Sequence, residues 1–345
     1  MILKIKNPIL VAEISANHNG SIIRAKKLID TAKKYGADAV KLQTYEPSSM
    51  TINKKKNYLK IRKGIWKGKT LWDLYKMAQT PFHWQKELFQ YAKKKNILCF
   101  STPFDFEGVD LLESINCPIY KIASFEITDI PLIRYVAQTK KPIIISTGMS
   151  SLKEIDVAYK TAISNGSSSV TILYCVSNYP SKTEDFNLKN IITLKERYKC
   201  RIGFSDHSTN NSIGSAAAAL GAEIFEKHIA LEGQKSGADI AFSLKGKEIL
   251  EYRNAINDGA ISAGNKNFIR KNNEMKYKFL RRSLFVVKKI NKGDVFNVKN
   301  IKALRPNVGV PPEKLFSLIG KKANFQIKPD QPITKKLLSK ILKNK

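Results

Sequence analysis

The sequence predicts an α/β fold: an eight-stranded parallel barrel of the TIM (β/α)8 type, followed by a small β-rich domain. Three observations support this prediction. The chain has 345 residues, which leaves room for a small domain beyond one barrel of about 250 residues. Hydrophobic residues make up 43% of the chain, enough for a packed core. Short β-rich runs alternate with amphipathic helical stretches over the first 265 residues.

Eight strand candidates occur in order, each a short run rich in apolar residues. They span residues 9–15, 39–43, 98–102, 119–122, 142–146, 170–174, 202–205 and 224–228. Helical stretches lie between most of them, including residues 22–35, 84–95, 152–164 and 211–220. Ser21 is a suitable N-cap for the first helix, and Gly36 follows its end. Alternation of this kind builds a parallel sheet, and eight units close it into a barrel. An open dinucleotide-binding sheet is disfavoured because no G-x-G-x-x-G follows the first strand.

Two segments interrupt this pattern. Residues 45–81 form a long connection with a basic cluster at 54–56, and they predict either a substrate-binding lid or a surface insertion. Residues 266–280 are polar and predict a linker. The predicted organisation is therefore a catalytic barrel over residues 1–265, the linker, and a β-rich domain over residues 281–345.

The chain is strongly basic, with 60 Lys and Arg against 29 Asp and Glu and a net charge of +31. Residues 271–345 alone account for +16. Such a charge favours a polyanion-binding protein as the alternative from another class. Only 10 of the basic residues are Arg, the usual base- and phosphate-contacting residue, and no RRM, KH or zinc-finger pattern occurs. We therefore expect no nucleic-acid partner and interpret most of the charge as lysine on solvated faces.

The sequence also bounds the cellular setting. No apolar run approaches the roughly 18 residues of a membrane span, and the N-terminus lacks a signal-like apolar segment. The four cysteines are too scattered for a disulfide framework or a CxxC metal site. These observations predict a cytoplasmic enzyme with no membrane partner.

Polar side chains gather at the carboxyl ends of the predicted strands, where barrel enzymes hold their active sites. Lys41 and Lys121, with nearby hydroxyl and glycine donors, suit a phosphate or carboxylate. The donors are Ser124, Ser146, Gly148 and Ser205. The carboxylates that suit metal, water or proton chemistry are Glu13, Glu126, Glu226 and Asp239.

His207 and His228 stand at the ends of adjacent predicted strands, so both rings are placed to face one metal ion. Spacing alone leaves a structural role for the pair equally open. Taken together, the strand ends predict a barrel enzyme that acts on a small anionic molecule.

The motifs themselves add a resemblance. In order along the chain, EISANHNGS, VKLQTY, FSTPF, YKIASFE, ISTGM, FSDHS and EKHI resemble the sialic acid synthase family of phosphoenolpyruvate-dependent nonulosonate synthases. RRSLFVVKKINKGD, LRPNVG and IGKKA resemble that family's antifreeze-like (SAF) domain. The resemblance implies a transferase that condenses phosphoenolpyruvate with an open-chain N-acetylated sugar and water. The products are a nine-carbon nonulosonic acid and phosphate, formed by C–O cleavage with a divalent metal, Mn²⁺ or Mg²⁺.

The resemblance also implies residue roles. Phosphoenolpyruvate would be held by Lys41, Thr102, Lys121, Ser124, Ser146 and Ser205. Ser177 stands where the sialic acid type has Asn, which is a departure from the family's phosphate-contacting pattern. The sugar would contact Glu13, Gln43, Tyr179 and Asp239. His207 and His228 would bind the metal, with Glu226 beside a metal-bound water and Glu13 or Glu226 as the base. Arg305 would reach the sugar from the second subunit of a domain-swapped homodimer.

The long connection resembles one subfamily in particular. GIWKGKTLWDLYKMAQTPFHW is similar to the signature of the pseudaminic acid type, whose sugar is 2,4-diacetamido-2,4,6-trideoxy-altrose. The more apolar pocket that this sugar requires would be supplied by Trp66, Trp72, Tyr75 and Phe125. N-acetylneuraminate and legionaminate synthesis are the alternatives. Ala238 stands where the family commonly has Pro before Asp239, which is a departure from its pattern in the loop beside the sugar.

Overall fold

The computed structural model describes residues 8–265 and 267–343. The first seven residues of the predicted barrel, the first residue of the predicted linker and the last two of the predicted second domain lie outside the described residues. The chain divides into two compact units, Met1–Gly264 and Asn265–Lys345. Each unit has its own hydrophobic core.

The first unit is a closed parallel barrel. Each of its eight strands pairs with the next, and the first also pairs with the eighth. A short ninth strand continues the sheet beside the eighth. The strands are β1 Ile9–Glu13, β2 Ala39–Thr44, β3 Leu98–Pro103, β4 Tyr120–Ile122, β5 Ile143–Ser146, β6 Val170–Cys175, β7 Arg201–Asp206, β8 Ile224–Ala230 and β9 Leu244–Lys245. The predicted TIM-type barrel is confirmed.

Helices connect the strands and cover the barrel. They are α1 Ile22–Lys34, α2 Pro47–Met50, α3 Leu71–Ala78, α4 Phe82–Lys94, α5 Phe106–Ser114, α6 Ile130–Gln138, α7 Leu152–Ser164, α8 Asn190–Arg197, α9 Asn211–Ala219 and α10 Glu248–Ala263. Single 3₁₀ turns span Ser15–His18, Asn57–Leu59, Thr183–Asp185 and Ile240–Phe242. Ser21 caps α1 as expected, because its side chain accepts a hydrogen bond from the backbone N–H of Arg24.

Two local features differ from the sequence-based expectation. Strand β1 ends at Glu13, two residues before the predicted end at residue 15. The strand stops there because Ser15 adopts a left-handed φ of 45° and turns the chain into a 3₁₀ helix. The long connection of residues 45–81 contains α2, a 3₁₀ turn and α3. Helix α3 begins with a capping box in which Thr70 and Asp73 bond reciprocally.

The second unit is β-rich, as predicted. Its three antiparallel strands lie in the order β11-β10-β12, with β10 Ser283–Val286, β11 Ile301–Leu304 and β12 Gln331–Pro332. Two short helical turns, α11 Asn272–Met275 and Lys276–Leu280, precede the sheet within the predicted linker. A 3₁₀ helix at Pro312–Ser317 and α12 Lys335–Leu342 complete the unit. Over residues 8–265 and 267–343, no helix is long and apolar enough to span a membrane.

Candidate active site

A cavity of about 1040 Å³, part of it open to solvent, lies at the carboxyl ends of the barrel strands. Fourteen of the seventeen predicted site residues line it: Glu13, Lys41, Gln43, Thr102, Lys121, Ser124, Glu126, Ser146, Tyr179, Ser205, His207, Glu226, His228 and Asp239. The barrel brings them together because all eight parallel strands end on the same side. The other three are Gly148, Ser177 and Arg305.

Two buried ammonium groups lie on the cavity floor. Lys41 Nζ lies 2.5 Å from Glu13 Oε2 and donates a hydrogen bond to Thr102 Oγ1 at 3.0 Å. Glu226 lies between the two lysines, with Oε1 3.8 Å from Lys41 Nζ and 3.7 Å from Lys121 Nζ. Lys41 and Lys121 are only 3% and 2% exposed, so a bound anion would meet both charges with little solvent screening.

The two carboxylates beside these lysines have pKa values that shift in opposite directions. Burial raises the pKa of Glu13, although the adjacent Lys41 opposes the change. Burial would also raise the pKa of Glu226, but Lys121 and Lys41 together lower it to about 2. Glu226 is therefore ionised at neutral pH, whereas Glu13 has a stronger tendency to take up a proton. Two neighbouring carboxyl groups with pKa values shifted apart in this way are common in active sites where one carboxyl transfers protons and the other stabilises charge.

Hydroxyl groups form the wall next to the lysines. Ser205 Oγ donates to Glu226 Oε1 at 3.3 Å, and Ser146 Oγ is buried with no hydrogen-bond partner in the described chain. Ser124 lines the cavity and its Oγ lies 2.9 Å from Ser177 Oγ. Ser177 and Gly148 lie behind Ser124 and outside the cavity lining. A Cβ at Gly148 would come within 2.6 Å of Ser124 Cβ, so this packing requires glycine.

His207 and His228 lie side by side, with ring centroids 5.5 Å apart. His207 Nδ1 lies 3.0 Å from the carbonyl oxygen of Val176, which can only accept, so Nδ1 holds the proton and Nε2 is left as a metal-binding lone pair. Burial, with His228 nearby, lowers the pKa of His207 to about 4, and the ring is neutral at pH 7. His228 Nδ1 is buried with no hydrogen-bond partner in the described chain, although Asp239 Oδ2 lies 3.6 Å away.

The histidine pair fits a divalent cation that keeps several oxygen ligands. Within the described ranges, no group of three or more His, Cys, Asp or Glu side chains is arranged to hold a metal. Two imidazoles would therefore need water or substrate oxygens to complete the coordination shell, and Mg²⁺ commonly keeps several waters when it is bound. Phe242 packs against both rings, with centroid distances of 5.8 and 4.8 Å, and restricts their orientation.

An aromatic wall faces the charged floor. Trp66, Tyr75, Phe125 and Tyr179 line the cavity. Trp66 Nε1 donates a hydrogen bond to the carbonyl oxygen of Ala238 at 2.9 Å. This bond links the long connection of residues 45–81 to the segment before Asp239, and both residues line the cavity. Trp72, expected in this wall, is not among the lining residues.

Sequence reasoning missed nine lining residues: Ser15, Tyr45, Met50, Leu74, Ala78, Phe104, Ala123, Cys175 and Phe242. Ser15 Oγ donates to Asp239 Oδ2 at 2.5 Å and accepts from Gln43 Nε2 at 3.0 Å. Its place in EISANHNGS was a signal that could have found it. The sequence contained no comparable signal for Phe242. This residue lies in the 3₁₀ turn after β8, and only the path of that segment brings its ring against the histidines.

Arg305 lies in the second unit, directly after β11, and its side chain is exposed. It therefore belongs to a different compact unit from the residues that line the cavity.

Comparison with known proteins identifies both units. The NeuB family profile matches residues 28–268, and the SAF domain profile matches residues 281–339. A pseudaminic acid synthase of Helicobacter pylori is 41% identical over 95% of this chain and 96% of its own length. An N,N'-diacetyllegionaminic acid synthase of Campylobacter jejuni is 35% identical over 95% and 99%. The crystal structure of an N-acetylneuraminic acid synthetase from Leptospira borgpetersenii, in complex with citrate, superposes with a TM-score of 0.70 and 32% identity over 78% and 90% of the two chains. The chain belongs to the NeuB family and ends in a SAF domain.

Proposed function

We propose that this chain is a pseudaminic acid synthase. It condenses phosphoenolpyruvate with 2,4-diacetamido-2,4,6-trideoxy-altrose and water, giving pseudaminic acid and phosphate. The observation that supports the chemistry best is one cavity that joins two buried ammonium groups, two carboxylates and a pair of imidazoles. The H. pylori pseudaminic acid synthase is also more similar to this chain than the C. jejuni legionaminic acid synthase is.

Phosphoenolpyruvate would bind on the charged floor. Lys41 and Lys121 would hold its phosphate and carboxylate, assisted by the hydroxyls of Thr102, Ser124, Ser146 and Ser205. Ser146 Oγ is a buried donor that gains a partner when an anion binds. The same two ammonium groups then offset the charge that develops on the departing phosphate.

NeuB-family synthases are generally metal-dependent. Here His207 and His228 would hold the cation, Mn²⁺ or Mg²⁺. When bound, the cation supplies Lewis-acid polarisation of the sugar aldehyde. Val176 and Phe242 orient the neutral ring of His207, Phe242 also packs against His228, and the two imidazoles would together hold the cation.

The reaction then follows from the charge distribution. C3 of phosphoenolpyruvate attacks the aldehyde carbon of the sugar, the C=O π electrons move to the aldehyde oxygen, which takes up a proton and becomes a hydroxyl, and a cationic centre is left at C2. Water adds to C2 while Glu13 or Glu226 accepts its proton. The tetrahedral intermediate breaks its C–O bond to phosphate and forms the 2-keto acid. Glu226, ionised at neutral pH between the lysines, also stabilises the positive charge at C2.

The sugar would lie between the aromatic wall and a polar edge. Trp66, Tyr75, Phe125 and Tyr179 offer apolar surface to the 6-methyl group and the two acetamido groups. The polar edge consists of Gln43, Glu126 and Asp239. Gln43 and Asp239 are held by Ser15, which fixes their orientation before the sugar arrives.

We further propose that the enzyme is a domain-swapped homodimer. The proposed domains are a barrel over residues 1–265, a linker over residues 266–280 and the SAF domain over residues 281–345. Arg305 of one subunit would reach the sugar bound in the barrel of the other. Its exposed position in a separate compact unit supports this role.

Phosphate release with a panel of three sugars tests the proposed function. The panel comprises N-acetylmannosamine, the diacetamido-trideoxy-altrose and the corresponding diacetamido-mannose, each with phosphoenolpyruvate and Mn²⁺. We expect the highest kcat/KM with the altrose. Preference for another sugar would reassign the substrate, and no turnover with any of them would contradict the synthase function.

His207→Ala should abolish metal-dependent turnover with the preferred sugar, because one of the two proposed ligands is lost. Thermal unfolding should show that the variant remains folded. His83→Ala is the matched control, since His83 is exposed and lies outside the cavity lining, and it should keep wild-type activity. Full activity of His207→Ala would exclude His207 from the site.

A further inference from the structure

The last two residues of β7 and their register partners in the middle of β8 place charged groups on both faces of the barrel wall. Ser205 and Glu226 line the cavity, whereas the next residues, Asp206 and Lys227, are absent from its lining. Asp206 and Lys227 are register partners in the sheet and are 0% and 1% exposed. Side chains alternate along a strand, so this pair lies on the outer face of the barrel.

Lys227 makes contacts on three sides. Its Nζ lies 3.2 Å from Asp206 Oδ2, donates to the carbonyl oxygen of Ser208, and lies 5.4 Å from the ring centre of Tyr252 in α10. Asp206 Oδ1 in turn accepts a hydrogen bond from the backbone N–H of Ser208 at 2.8 Å. The lysine and the aspartate therefore hold both ends of the turn formed by residues 206–208.

This turn includes His207, and His228 directly follows Lys227. A displacement of the ammonium group would therefore be transmitted through one or two backbone units to both imidazoles. The side-chain contact of His207 with Val176 fixes only the ring rotation. The distance between the two rings depends on how the end of β7 is held against the middle of β8, and the Asp206–Lys227 pair links these two segments.

A contribution to folding stability alone is a weak explanation for this pair. Desolvating two charges offsets most of the gain from their attraction, and well-packed apolar residues often stabilise such a site equally well. The neighbouring residues are nevertheless packed in a way that accommodates the Asp206–Lys227 pair. Helix α9 has Gly214 where a Cβ would lie 2.6 Å from the ring of Tyr252, so the ring that covers Lys227 needs that space.

We propose that Asp206 and Lys227 are positioning residues that set the separation of His207 and His228 for the divalent cation. The inference rests on the proposed function, because the two histidines are its metal ligands. Neither residue touches substrate or metal; both act through the backbone of the residues they flank.

Mn²⁺ binding to the full-length protein tests the proposal. The dissociation constant is measured from the EPR signal of free Mn²⁺, with phosphoenolpyruvate present and no sugar. Lys227→Met alone leaves the Asp206 carboxylate buried without its partner, which is strongly destabilising, so Asp206→Asn/Lys227→Met is the decisive variant. Asn at 206 keeps an acceptor for the N–H of Ser208.

We expect the dissociation constant of Mn²⁺ to rise about 10- to 100-fold in this double variant, the usual effect of losing a group that orients metal ligands. Activity lost at low Mn²⁺ should return at high Mn²⁺.

The matched control is Asp38→Asn/Arg253→Met. Arg253 also lies on α10, and its guanidinium bonds Asp38 and the carbonyl oxygens of Gly36 and Pro8. Asp38 precedes β2, at the barrel end opposite the cavity, so this variant should lose thermal stability without weakening Mn²⁺ binding. A folded Asp206→Asn/Lys227→Met protein with wild-type Mn²⁺ affinity would overturn the inference alone. Failure of the wild-type protein to bind Mn²⁺ would overturn the proposed metal site as well.

Discussion

Glu126 is a carboxyl group in the cavity wall that carries one buried oxygen, Oε2, without a hydrogen-bond partner in the described part of the chain. Burial raises its pKa to about 7, although Lys121 opposes the change. In the unfolded chain the group would titrate near its ordinary value of 4.5. The unfolded state therefore releases the proton first as the pH rises, and the free energy of unfolding falls between about pH 4.5 and pH 7.

Glu126→Gln should remove this decrease, because glutamine has no proton to lose. Relative to the wild type, the variant should gain on the order of 1 kcal/mol of unfolding free energy between pH 5 and pH 8. Urea unfolding at both pH values measures the difference. Glu196→Gln, at an exposed position of α8, is the control and should follow the wild type. Parallel pH curves for Glu126→Gln and the wild type would show that Glu126 titrates normally.

At the scale of the elements, helix α3 explains why one predicted aromatic residue misses the cavity. Leu74, Tyr75 and Ala78 line the wall, and these positions share one face of a helix. Trp72 lies two residues before Leu74, about 200° around the helix axis, and therefore projects from another face. The sequence indicated an aromatic cluster, but the choice among its members depended on where α3 begins, at the Thr70 cap.

The sequence predicts residues whose positions follow from local periodicity, and it leaves open residues whose positions depend on tertiary contacts. Strands and strand-end residues were predictable because apolar periodicity is local and a parallel barrel places every carboxyl end together. Residues such as Lys41, Lys121 and Glu226 follow directly from that rule. Phe242 and Ser15 do not, because each depends on a loop or turn whose path is set by tertiary contacts. For Ser15, the contact is the bond from its Oγ to Asp239.

Trp66 gives the long connection its proposed function as a sugar-binding wall. Trp66→Phe should remove the hydrogen bond to Ala238 while keeping aromatic surface, whereas Trp66→Ala removes both. We expect the KM for the sugar to rise modestly in the first variant and at least about 10-fold in the second, since an aromatic contact and its buried area are lost. The KM for phosphoenolpyruvate should stay unchanged in both. Steady-state kinetics with each substrate varied in turn would measure the two KM values separately. An equal rise in the KM for the sugar and the KM for phosphoenolpyruvate would contradict a sugar-binding role for Trp66.

On the scale of the whole molecule, the net charge of +31 is distributed mostly outside the cavity. Within the described residues, the only Lys or Arg side chains that line the cavity are Lys41 and Lys121. The last 75 residues contribute +16, and most of them belong to the SAF domain. Family membership favours an enzyme over the polyanion-binding alternative.

Subunit complementation tests the proposed dimer. If Arg305 acts on the partner's barrel, an Arg305→Ala subunit still has a competent barrel, and a His207→Ala subunit still has a competent SAF domain. A mixed dimer then contains one complete site and one site lacking both groups. Unfolding and refolding the two inactive variants together at equal concentration should restore about a quarter of wild-type activity, because about half of the dimers are mixed and half of their sites are complete. If Arg305 instead completes the barrel of its own chain, every site lacks one group, and the mixture stays as inactive as either variant alone.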